Sequence, residues 1–303
     1  MSVSVIIPTR NQHKILDQAL KSIARSNTDG LGQVEIIVVD NQSDEPDSQR
    51  YLKELATQSL AWGLNNVQVM SFDEPFNFSK MNNNAVEKAT GDILCFFNND
   101  AEVISDDWLH QLTQEVLKSA TGCVGTLLFY PNDTVQHAGV IVGMGTIAGH
   151  AYVGLPRNTA NNHPYFQQKR FCTAVTGACL TIRRDVFETV GGFDSDLAVA
   201  FNDVDLCLKV RKAGYNNVFL PSVQLYHHES ISRGVGIKSN EEKKRHRQEI
   251  RHMHRAWGKD VLTDPYWICS EKARGSDDKA YRYDLKRAWR KDRTLAYFHK
   301  DLS

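Results

Sequence analysis

The sequence predicts an α/β protein with a mostly parallel central sheet, helices on both faces and a C-terminal helical extension. Over the first third of the chain, short apolar runs that end in polar clusters alternate with stretches of helical periodicity. The clearest run, residues 93–97, reads ILCFF and stops at Asn98-Asn99-Asp100. A strand buried on both faces has this pattern, because neither of its sides meets water.

Each apolar run in this part of the chain is followed by a stretch that predicts a helix. Strands are predicted at residues 3–7, 34–39, 67–71 and 93–97, with helices at 15–23, 48–58 and 79–89 between them. Further along, strands are predicted at residues 124–130, 140–142, 179–182, 218–220 and 223–227, and helices at 185–190, 203–213 and 241–257. Strands and helices in alternation are typical of a parallel sheet that binds a nucleotide.

The composition is that of an ordinary globular protein. Of the 303 residues, 41% are hydrophobic and 24% are charged, and the formal net charge of +0 argues against a dedicated nucleic-acid-binding protein. The six cysteines are scattered without a C-x-x-C pair, as expected of a reduced protein. No signal peptide and no apolar run of roughly 18 residues is recognisable, so we expect a cytoplasmic protein.

Positive charge is concentrated toward the end of the chain. From Glu241 onward there are 17 Lys+Arg against 11 Asp+Glu, a net of +6, which leaves −6 for the first 240 residues. We therefore predict a domain of residues 1–238 and a basic helical extension of residues 239–303. The basic side chains are either a solvated helical face or a surface that makes peripheral contact with the inner membrane.

Polar residues at the strand ends are candidate ligands, because parallel sheets bind ligands beyond the carboxyl ends of their strands. Asp40 either caps a turn or accepts a hydrogen bond from a nucleoside. Asp100 either caps the following helix or provides an oxygen ligand to a divalent cation. Asp203 is either a first-turn charge matched to a helix dipole or a general base. His137 is expected to be structural, although a place beside an acceptor cleft is open to it.

Six segments, in this order, resemble those of the family 2 glycosyltransferases, which have the GT-A fold. They are VSVIIPTRN, VEIIVVDNQS, NFSKMNNNAVEKATGDILCFFNND, VTGACLTIRRDVFETVGGFD, FNDVDLCLKVRKAGY and LYHHES, within about residues 3–233. Each segment alone is weakly specific, whereas all six in order are strongly specific. The resemblance implies a Rossmann-like GT-A sheet. It is nearest to bacterial enzymes of O-antigen and other surface-polysaccharide assembly, such as rhamnosyltransferase-like proteins.

The resemblance implies a role for each matched position. Nucleotide and donor contacts are implied at Pro8, Thr9, Arg10, Asp40, Asn83, Asn98, Asn99, Asp100, Gly177 and Ala178. Asp203 is the implied catalytic base, with Asn202 and Asp205 on the acceptor side. A Mn²⁺ or Mg²⁺ ion is expected on Asp100 and on His227 or His228. Arg233 is a further expected donor contact, since a guanidinium fork suits phosphate oxygens.

Two positions depart from the pattern of the family. Asn98 stands where the D-x-D motif of the family begins with Asp, so a neutral amide replaces one carboxylate. Asn202 stands where the family has the Glu of a Glu-Asp pair. Because Asp100 and Asp203 remain, we expect activity. The Q-x-x-R-W signature of processive members is absent, which favours the transfer of one sugar at a time.

The expected function is therefore an inverting, metal-dependent hexosyl transfer in O-antigen-like polysaccharide biosynthesis. The donor would be a UDP-, dTDP- or GDP-linked sugar, and the acceptor a hydroxyl of a glycan or lipid-linked oligosaccharide. The alternative is a non-catalytic module that binds a nucleotide-sugar on the same fold. A sugar-1-phosphate nucleotidyltransferase would have a Gly-rich phosphate loop after its first strand, and PTRNQ contains no glycine.

Overall fold

The structure is a computed structural model that describes residues 1–228 and 239–267. Within these residues, a ten-stranded sheet and a separate two-stranded sheet are accompanied by eight α-helices. Arg233 and residues 268–303 lie outside the described residues, and so does the donor contact expected at Arg233.

The strands include every strand that the apolar runs predict. They are β1 Val3–Thr9, β2 Val34–Asp40, β3 Val67–Ser71, β4 Ile93–Phe97, β5 Ala101–Val103, β6 Thr121–Phe129, β7 Val135–His137, β8 Val140–Val142, β9 Ala148–His150, β10 Arg170–Cys172, β11 Cys179–Arg183 and β12 Asn216–His227. The strands missing from the prediction, such as β5 and β7, have three residues each, which is too short to show a period. The two strands predicted at 218–220 and 223–227 are one strand, β12, whose register shifts between Leu220 and Gln224.

The eight helices of the described residues include all six whose ranges the sequence predicts, and the ends of those six differ from the prediction by at most two residues. They are α1 His13–Arg25, α2 Pro46–Leu60, α3 Phe78–Lys88, α4 Trp108–Val116, α5 Arg157–Ala160, α6 Arg184–Thr189, α7 Asn202–Lys212 and α8 Asn240–Trp257. None of the helices in the described ranges has the length and apolarity that a membrane-spanning helix needs.

The large sheet has the strand order β10-β12-β6-β11-β4-β1-β2-β3, so the predicted mostly parallel sheet is confirmed. Strand β1 is parallel to β2 and β4, and β12 is parallel to β6. Strand β11 runs antiparallel between β4 and β6, with Cys179 opposite Phe97. The beginning of β11 therefore lies at the same edge as the ends of β1, β2 and β4.

Apolar side chains fill both faces of the sheet, as the uninterrupted runs predict. In β4, Leu94 and Phe96 belong to one core cluster, whereas Ile93, Cys95 and Phe97 belong to the other. All five are fully buried. Successive side chains of a strand point to opposite faces, so a run with no polar residue needs helices on both sides.

The first helix of the predicted extension packs against the domain that contains the large sheet. Helix α8 begins at a capping box, in which Ser239 and Glu242 bond reciprocally to each other's backbone N–H groups. Met253 of this helix is fully buried in a core cluster, and Glu249 is also buried. Its remaining residues are largely polar and exposed. The helix is therefore amphipathic, with one face against the sheet domain.

Candidate functional site

The carboxyl ends of β1, β2 and β4 are joined by hydrogen bonds. The amide of Asn99 donates to the hydroxyl of Thr9 at 3.0 Å, which connects the end of β4 to the end of β1. The backbone N–H of Asn41 donates to the carbonyl of Thr9 at 2.8 Å, which connects β1 to β2. The polar clusters that the sequence predicts at separate strand ends therefore meet at one edge.

At the β1–β2 side of this edge, Asp40 takes the turn-capping role. Its Oδ1 accepts hydrogen bonds from the backbone N–H of Ser43 at 3.1 Å and from the Ser43 hydroxyl at 2.5 Å. Pro8 is buried, whereas Arg10 is exposed and forms an ion pair with Asp44 at 3.6 Å. These contacts fix the loop beside which a nucleoside is expected.

Beyond β4, Asp100 meets the imidazole of His227. The carboxylate Oδ1 lies 3.0 Å from Nε2 of His227, and both residues are at most 9% exposed. The amide nitrogen of Asn98 lies 3.1 Å from the same Nε2 atom. The pairing of β12 with β5, in which His227 is opposite Ala101, brings these residues together.

Gln136 fixes the orientation of this imidazole. Its Oε1 lies 2.7 Å from Nδ1 of His227, and its Nε2 donates to the His227 backbone carbonyl at 3.3 Å. Because an amide oxygen only accepts hydrogen bonds, Nδ1 carries the hydrogen. In the neutral ring, Nε2 then presents its lone pair to Asp100 and Asn98.

This donor set fits a divalent cation. A carboxylate oxygen and an imidazole lone pair that face each other at 3.0 Å need a proton or a metal ion between them. Two neighbouring ligands of an octahedral ion, at about 2.1 Å from the metal, also lie roughly 3 Å apart. A carboxylate with an imidazole is a suitable pair for Mn²⁺ or Mg²⁺. Gln136 has the place of the orienting partner that ligating histidines usually have.

His228 is directed elsewhere, although it follows His227 in the sequence. Its Nε2 lies 3.1 Å from a carboxylate oxygen of Glu102, which also accepts a hydrogen bond from Gln18 at 2.6 Å. Consecutive side chains at the end of a strand point to opposite sides. Of the two histidines that the sequence leaves open, His227 is the one beside Asp100.

Asp203 lies at the same edge, at the start of α7, and is half-buried. Its Oδ2 accepts a hydrogen bond from the backbone N–H of Gly177 at 2.8 Å. The next residue, Ala178, accepts a hydrogen bond at its carbonyl from the N–H of Asn98 at 2.9 Å. Two successive backbone groups thus connect the carboxylate of Asp203 to the loop that carries Asp100.

Gly177 lies close to both Asp203 and the first residue of α3. A Cβ atom at this glycine would be 3.4 Å from the ring of Phe78 and 3.6 Å from Cβ of Asp203. A side chain longer than a methyl group would fill the space beside the carboxylate. The glycine therefore keeps this side of Asp203 open.

Three of the predicted site residues, Asn83, Asn202 and Asp205, use their side chains to bind other parts of the protein. Asn83 binds the backbone of Phe193 at both ends of its amide, at 2.9 and 3.0 Å. Asn202 is buried, and its amide donates to the carbonyl of Val199 at 3.3 Å. These two amides stabilise loops near Asp203, because their donors and acceptors are used on backbone groups.

Asp205, which the sequence predicts on the acceptor side, is buried and binds residues of α7 and α8. It is 1% exposed, and its carboxylate accepts a hydrogen bond from the indole of Trp257 at 2.8 Å. Its other oxygen forms an ion pair with Lys209 at 2.7 Å. Positions i and i+2 of a helix do not share a face, so Asp203 and Asp205 point in different directions. Asp205 joins α7 to α8.

His137 is a buried neighbour of the candidate metal site and has a structural environment. It is fully buried, its Nδ1 lies 2.7 Å from Nδ1 of His150, and its Nε2 accepts the N–H of Gly139 at 3.2 Å. Burial lowers its pKa well below the usual value, and the nearby His150 and His227 lower it further. The ring is therefore neutral at physiological pH.

Sequence reasoning missed Gln136 and Glu249, the two residues that support the predicted site residues. Gln136 is in the three-residue strand β7, and Glu249 is one of several charged residues on a basic helix. Neither belongs to a motif. The only local signal for Glu249 is its spacing from Met253, because residues four apart share a helix face.

Comparisons with known proteins agree with this architecture. A protein-family model, Glycosyl transferase family 2, matches residues 4–191. The chain is 41% identical over 264 residues to the uncharacterized protein y4gI of Sinorhizobium fredii, a match that covers 87% of this chain and 28% of that protein. It is 34% identical over 232 residues to the O-antigen biosynthesis protein RfbC of Myxococcus xanthus, covering 76% of this chain and 18% of that protein. The chain thus spans less than a third of either relative.

Among solved structures, the chain is similar to a mannosyltransferase of Pyrobaculum calidifontis, PcManGT, in complex with GDP-Man and Mn²⁺. The TM-score is 0.56 at 21% sequence identity, over 77% of this chain and 58% of that chain. A likeness at this level of identity concerns the fold alone. Together with the family match over residues 4–191, it establishes that this chain belongs to glycosyltransferase family 2 and has the GT-A fold.

Proposed function

We propose that this chain is a metal-dependent, inverting glycosyltransferase domain that moves a hexosyl group from a nucleotide-sugar to an acceptor hydroxyl. The observation that carries the proposal is that Asp203 and the Asp100–His227 pair lie at one edge of the sheet, linked through Gly177 and Ala178. A positioned base beside a cation site is what transfer requires and what a binding module does not need.

Asp203 acts as the general base. Its half-buried carboxylate takes the proton from the acceptor hydroxyl, while the hydroxyl oxygen forms the new bond to the anomeric carbon. The bond from that carbon to the nucleoside diphosphate breaks, and its electron pair leaves with the diphosphate. A single displacement of this kind inverts the anomeric configuration. The hydrogen bond from Gly177 holds the carboxylate in place throughout.

Asp100 and His227 hold the divalent cation, with Gln136 orienting the imidazole. When bound, the ion supplies Lewis-acid stabilisation to the negative charge of the leaving diphosphate. Asn98 adds a neutral amide to this group, so the site has one carboxylate less than a D-x-D motif. The Mn²⁺ in the complex of the mannosyltransferase PcManGT supports a metal in this fold.

The nucleoside lies beside the loops that follow β1 and β2. Thr9 and Asp40 border this position, and their loops are tied together by hydrogen bonds among Asn11, Ser43 and Asp44. UDP-, dTDP- and GDP-linked sugars are all compatible with a carboxylate that accepts hydrogen bonds from a base or ribose.

The acceptor is a glycan or a lipid-linked oligosaccharide in surface-polysaccharide assembly on the cytoplasmic side of the membrane. Similarity to the O-antigen biosynthesis protein RfbC supports this substrate class. The family resemblance favours the addition of one sugar at a time, since the signature of processive members is absent from the sequence.

The outer face of α8 makes peripheral contact with anionic lipid. Lys243, Arg247, Arg251 and Arg255 are four residues apart and exposed, so they form one stripe along the helix. In the described part of the chain, no carboxylate forms an ion pair with any of these four. Each such residue near an anionic leaflet contributes about 1 kcal/mol of attraction.

The test of transfer is a thermal-shift panel followed by turnover. UDP, dTDP and GDP, and UDP-glucose, dTDP-rhamnose and GDP-mannose, are each added with and without Mn²⁺ or Mg²⁺. A ligand that binds the folded state raises the melting temperature by mass action, so a metal-dependent increase identifies the nucleotide. Release of nucleoside diphosphate from the matching sugar nucleotide supports the enzyme. Metal-dependent binding with no release, even with a glycan acceptor, would instead indicate the non-catalytic module.

The membrane contact is tested by sedimentation with vesicles. The protein should sediment with phosphatidylglycerol-containing vesicles, less so in high salt, and not with pure phosphatidylcholine. The double variant Arg247→Glu, Arg251→Glu should stay in the supernatant, whereas Arg50→Glu, Lys53→Glu on α2 should still sediment. Equal sedimentation of both variants would exclude the α8 stripe as the contact.

A further inference from the structure

We propose that Glu249 is a positioning residue for the catalytic base, although it lies on α8, outside the stretch that matches the family model. Its carboxylate holds the loop from which Asp203 projects. The inference rests on the proposed function, in which Asp203 accepts the proton of the acceptor hydroxyl.

The first observation is the bonding of the Glu249 carboxylate. Its Oε1 atom accepts hydrogen bonds from the backbone N–H groups of Val199 at 2.8 Å and of Ala200 at 3.3 Å. The side chain is 2% exposed. A carboxylate at this depth is unfavourable unless it is hydrogen-bonded, and bonds from N–H groups to a charged oxygen are the stronger kind. Glu249 therefore fixes this backbone firmly.

The second observation is the strained turn that follows. Phe201 has φ 64°, in the left-handed region that a bulky aromatic residue rarely adopts. A residue in such a conformation persists when its surroundings determine it. The bonds of Glu249 fix the two residues directly before Phe201, and Asn202 and Asp203 come directly after it. The direction of the Asp203 side chain thus depends on a turn that Glu249 holds.

The loop before this turn is fixed on two sides. On one side, the first turn of α3 holds it: the N–H of Phe78 donates to the carbonyl of Ala198 at 2.8 Å, and the hydroxyl of Ser79 donates to Leu197 at 2.6 Å. On the other side, α8 holds it through Glu249 and through His252, whose Nε2 lies 2.8 Å from Asp194. Among these contacts, those of Glu249 are nearest to Asp203 along the chain, because they are made to Val199 and Ala200.

The expected effect is on turnover and not on binding. In Glu249→Ala, the two N–H groups lose their acceptor and the turn relaxes. Misplacement of a catalytic group by about 1 Å costs on the order of 10²-fold in rate, so kcat should fall about 10- to 100-fold. The apparent Kd for Mn²⁺ with UDP, dTDP or GDP should be unchanged, because Asp100 and His227 lie on other elements. Glu249→Gln should retain most of the rate, since both hydrogen bonds use one oxygen, which an amide also offers.

A double-mutant comparison separates positioning from general destabilisation. If Glu249 acts through Asp203, adding Glu249→Ala to Asp203→Asn should lower the residual rate no further. A further loss as large as in the wild-type background would overturn the proposal. Gln248→Ala, on the exposed face of the same helix, is the matched control and should keep the wild-type kcat.

Amide hydrogen exchange gives a readout that needs no turnover. Exchange at residues 199–204 should be faster in Glu249→Ala than in the wild type, and Glu249→Gln should restore slow exchange. If Glu249→Ala is too unstable to purify, Glu249→Asp, which shortens the side chain by one methylene, takes its place. Wild-type exchange in Glu249→Ala, or in Glu249→Asp where that variant replaces it, would refute the positioning role. If the wild-type protein shows no turnover, the proposed function is refuted. The exchange result then tests by itself whether Glu249 holds this turn.

Discussion

The carboxylate of Asp100 and the imidazole of His227 meet at 3.0 Å on elements that are far apart in the sequence. Their meeting depends on the register between β5 and β12, in which Ala101 is opposite His227. A shift of one residue would turn the imidazole to the other side of the strand. The candidate metal site is thus a product of strand pairing, and its properties follow from the residues around this pair.

Replacing the proposed base should abolish turnover and leave donor binding intact. Asp203→Asn keeps the shape and can still accept the Gly177 hydrogen bond, but it no longer takes up a proton. The loss of a general base should lower kcat about 10²- to 10⁴-fold. The metal-dependent thermal shift with the nucleotide should remain. As a control, Asp73→Asn, which changes an exposed carboxylate on a loop, should have the kcat of the wild type. An unchanged kcat in Asp203→Asn would contradict the assignment of Asp203 as the general base.

Removing the partner of the His227 ring should weaken the binding of metal. In Gln136→Leu, Nδ1 loses its acceptor, so the ring is no longer held with Nε2 toward Asp100. Loss of an orienting partner of a metal ligand typically costs 10- to 100-fold in affinity, which Mn²⁺ titration of the purified protein measures directly. Gln114→Leu, at an exposed position on α4, serves as the control. Equal Mn²⁺ affinity of the two variants would show that Gln136 has no part in metal binding.

Replacing Asn98 with the aspartate that begins the D-x-D motif of the family should increase the affinity for the metal ion. The amide nitrogen of Asn98 lies 3.1 Å from Nε2 of His227, so Asn98→Asp places a second carboxylate beside the ion. We expect roughly tenfold tighter Mn²⁺ binding, because hard divalent cations prefer charged oxygen ligands. Without metal, the variant should be less stable than the wild type by about 1 kcal/mol, since two carboxylates then lie close together. Asn65→Asp, which is exposed, is the control; weaker Mn²⁺ binding by Asn98→Asp would contradict the location of the site.

Asp205 should matter for stability and not for the acceptor. Asp205→Asn weakens the contacts with Trp257 and Lys209 in a buried place. The free energy of unfolding should decrease by about 1–3 kcal/mol, measured by chemical denaturation. The dependence of the rate on acceptor concentration should not change. A raised acceptor KM at unchanged stability would instead support the acceptor-side role that the sequence predicts.

The buried His137 should make the protein less stable in mild acid. Its lowered pKa means that the unfolded state takes up a proton below about pH 6.5 while the folded state does not, so stability falls as the pH falls. In His137→Leu this contribution is absent. The variant should be less stable at pH 7.5, but its free energy of unfolding should decline less between pH 7.5 and pH 5. His254→Leu, at an exposed position, should keep the slope of the wild type, and parallel slopes for all three proteins would rule out this role for His137.

Some features of this protein are determined by the sequence itself. The run of β4 is apolar at every position, so it has to be covered on both faces, and this requirement already predicts a parallel sheet between helices. Asp100 and Asp203 stand out because polar residues at strand ends and helix starts are local features. The sequence could also have predicted that Asp205 points away from Asp203, because residues two apart on a helix lie on different faces.

Other features were decided only in the folded protein. The sequence gives no reason to prefer His227 or His228 as the neighbour of Asp100. The register of β12 against β5 decides that it is His227. Gln136 and Glu249 act through contacts with residues remote in the chain, in a strand too short for a pattern and on a helix rich in charge. Periodicity reports which face of an element is buried, because that depends on local spacing. It does not report which buried groups meet, because that depends on how the elements pack.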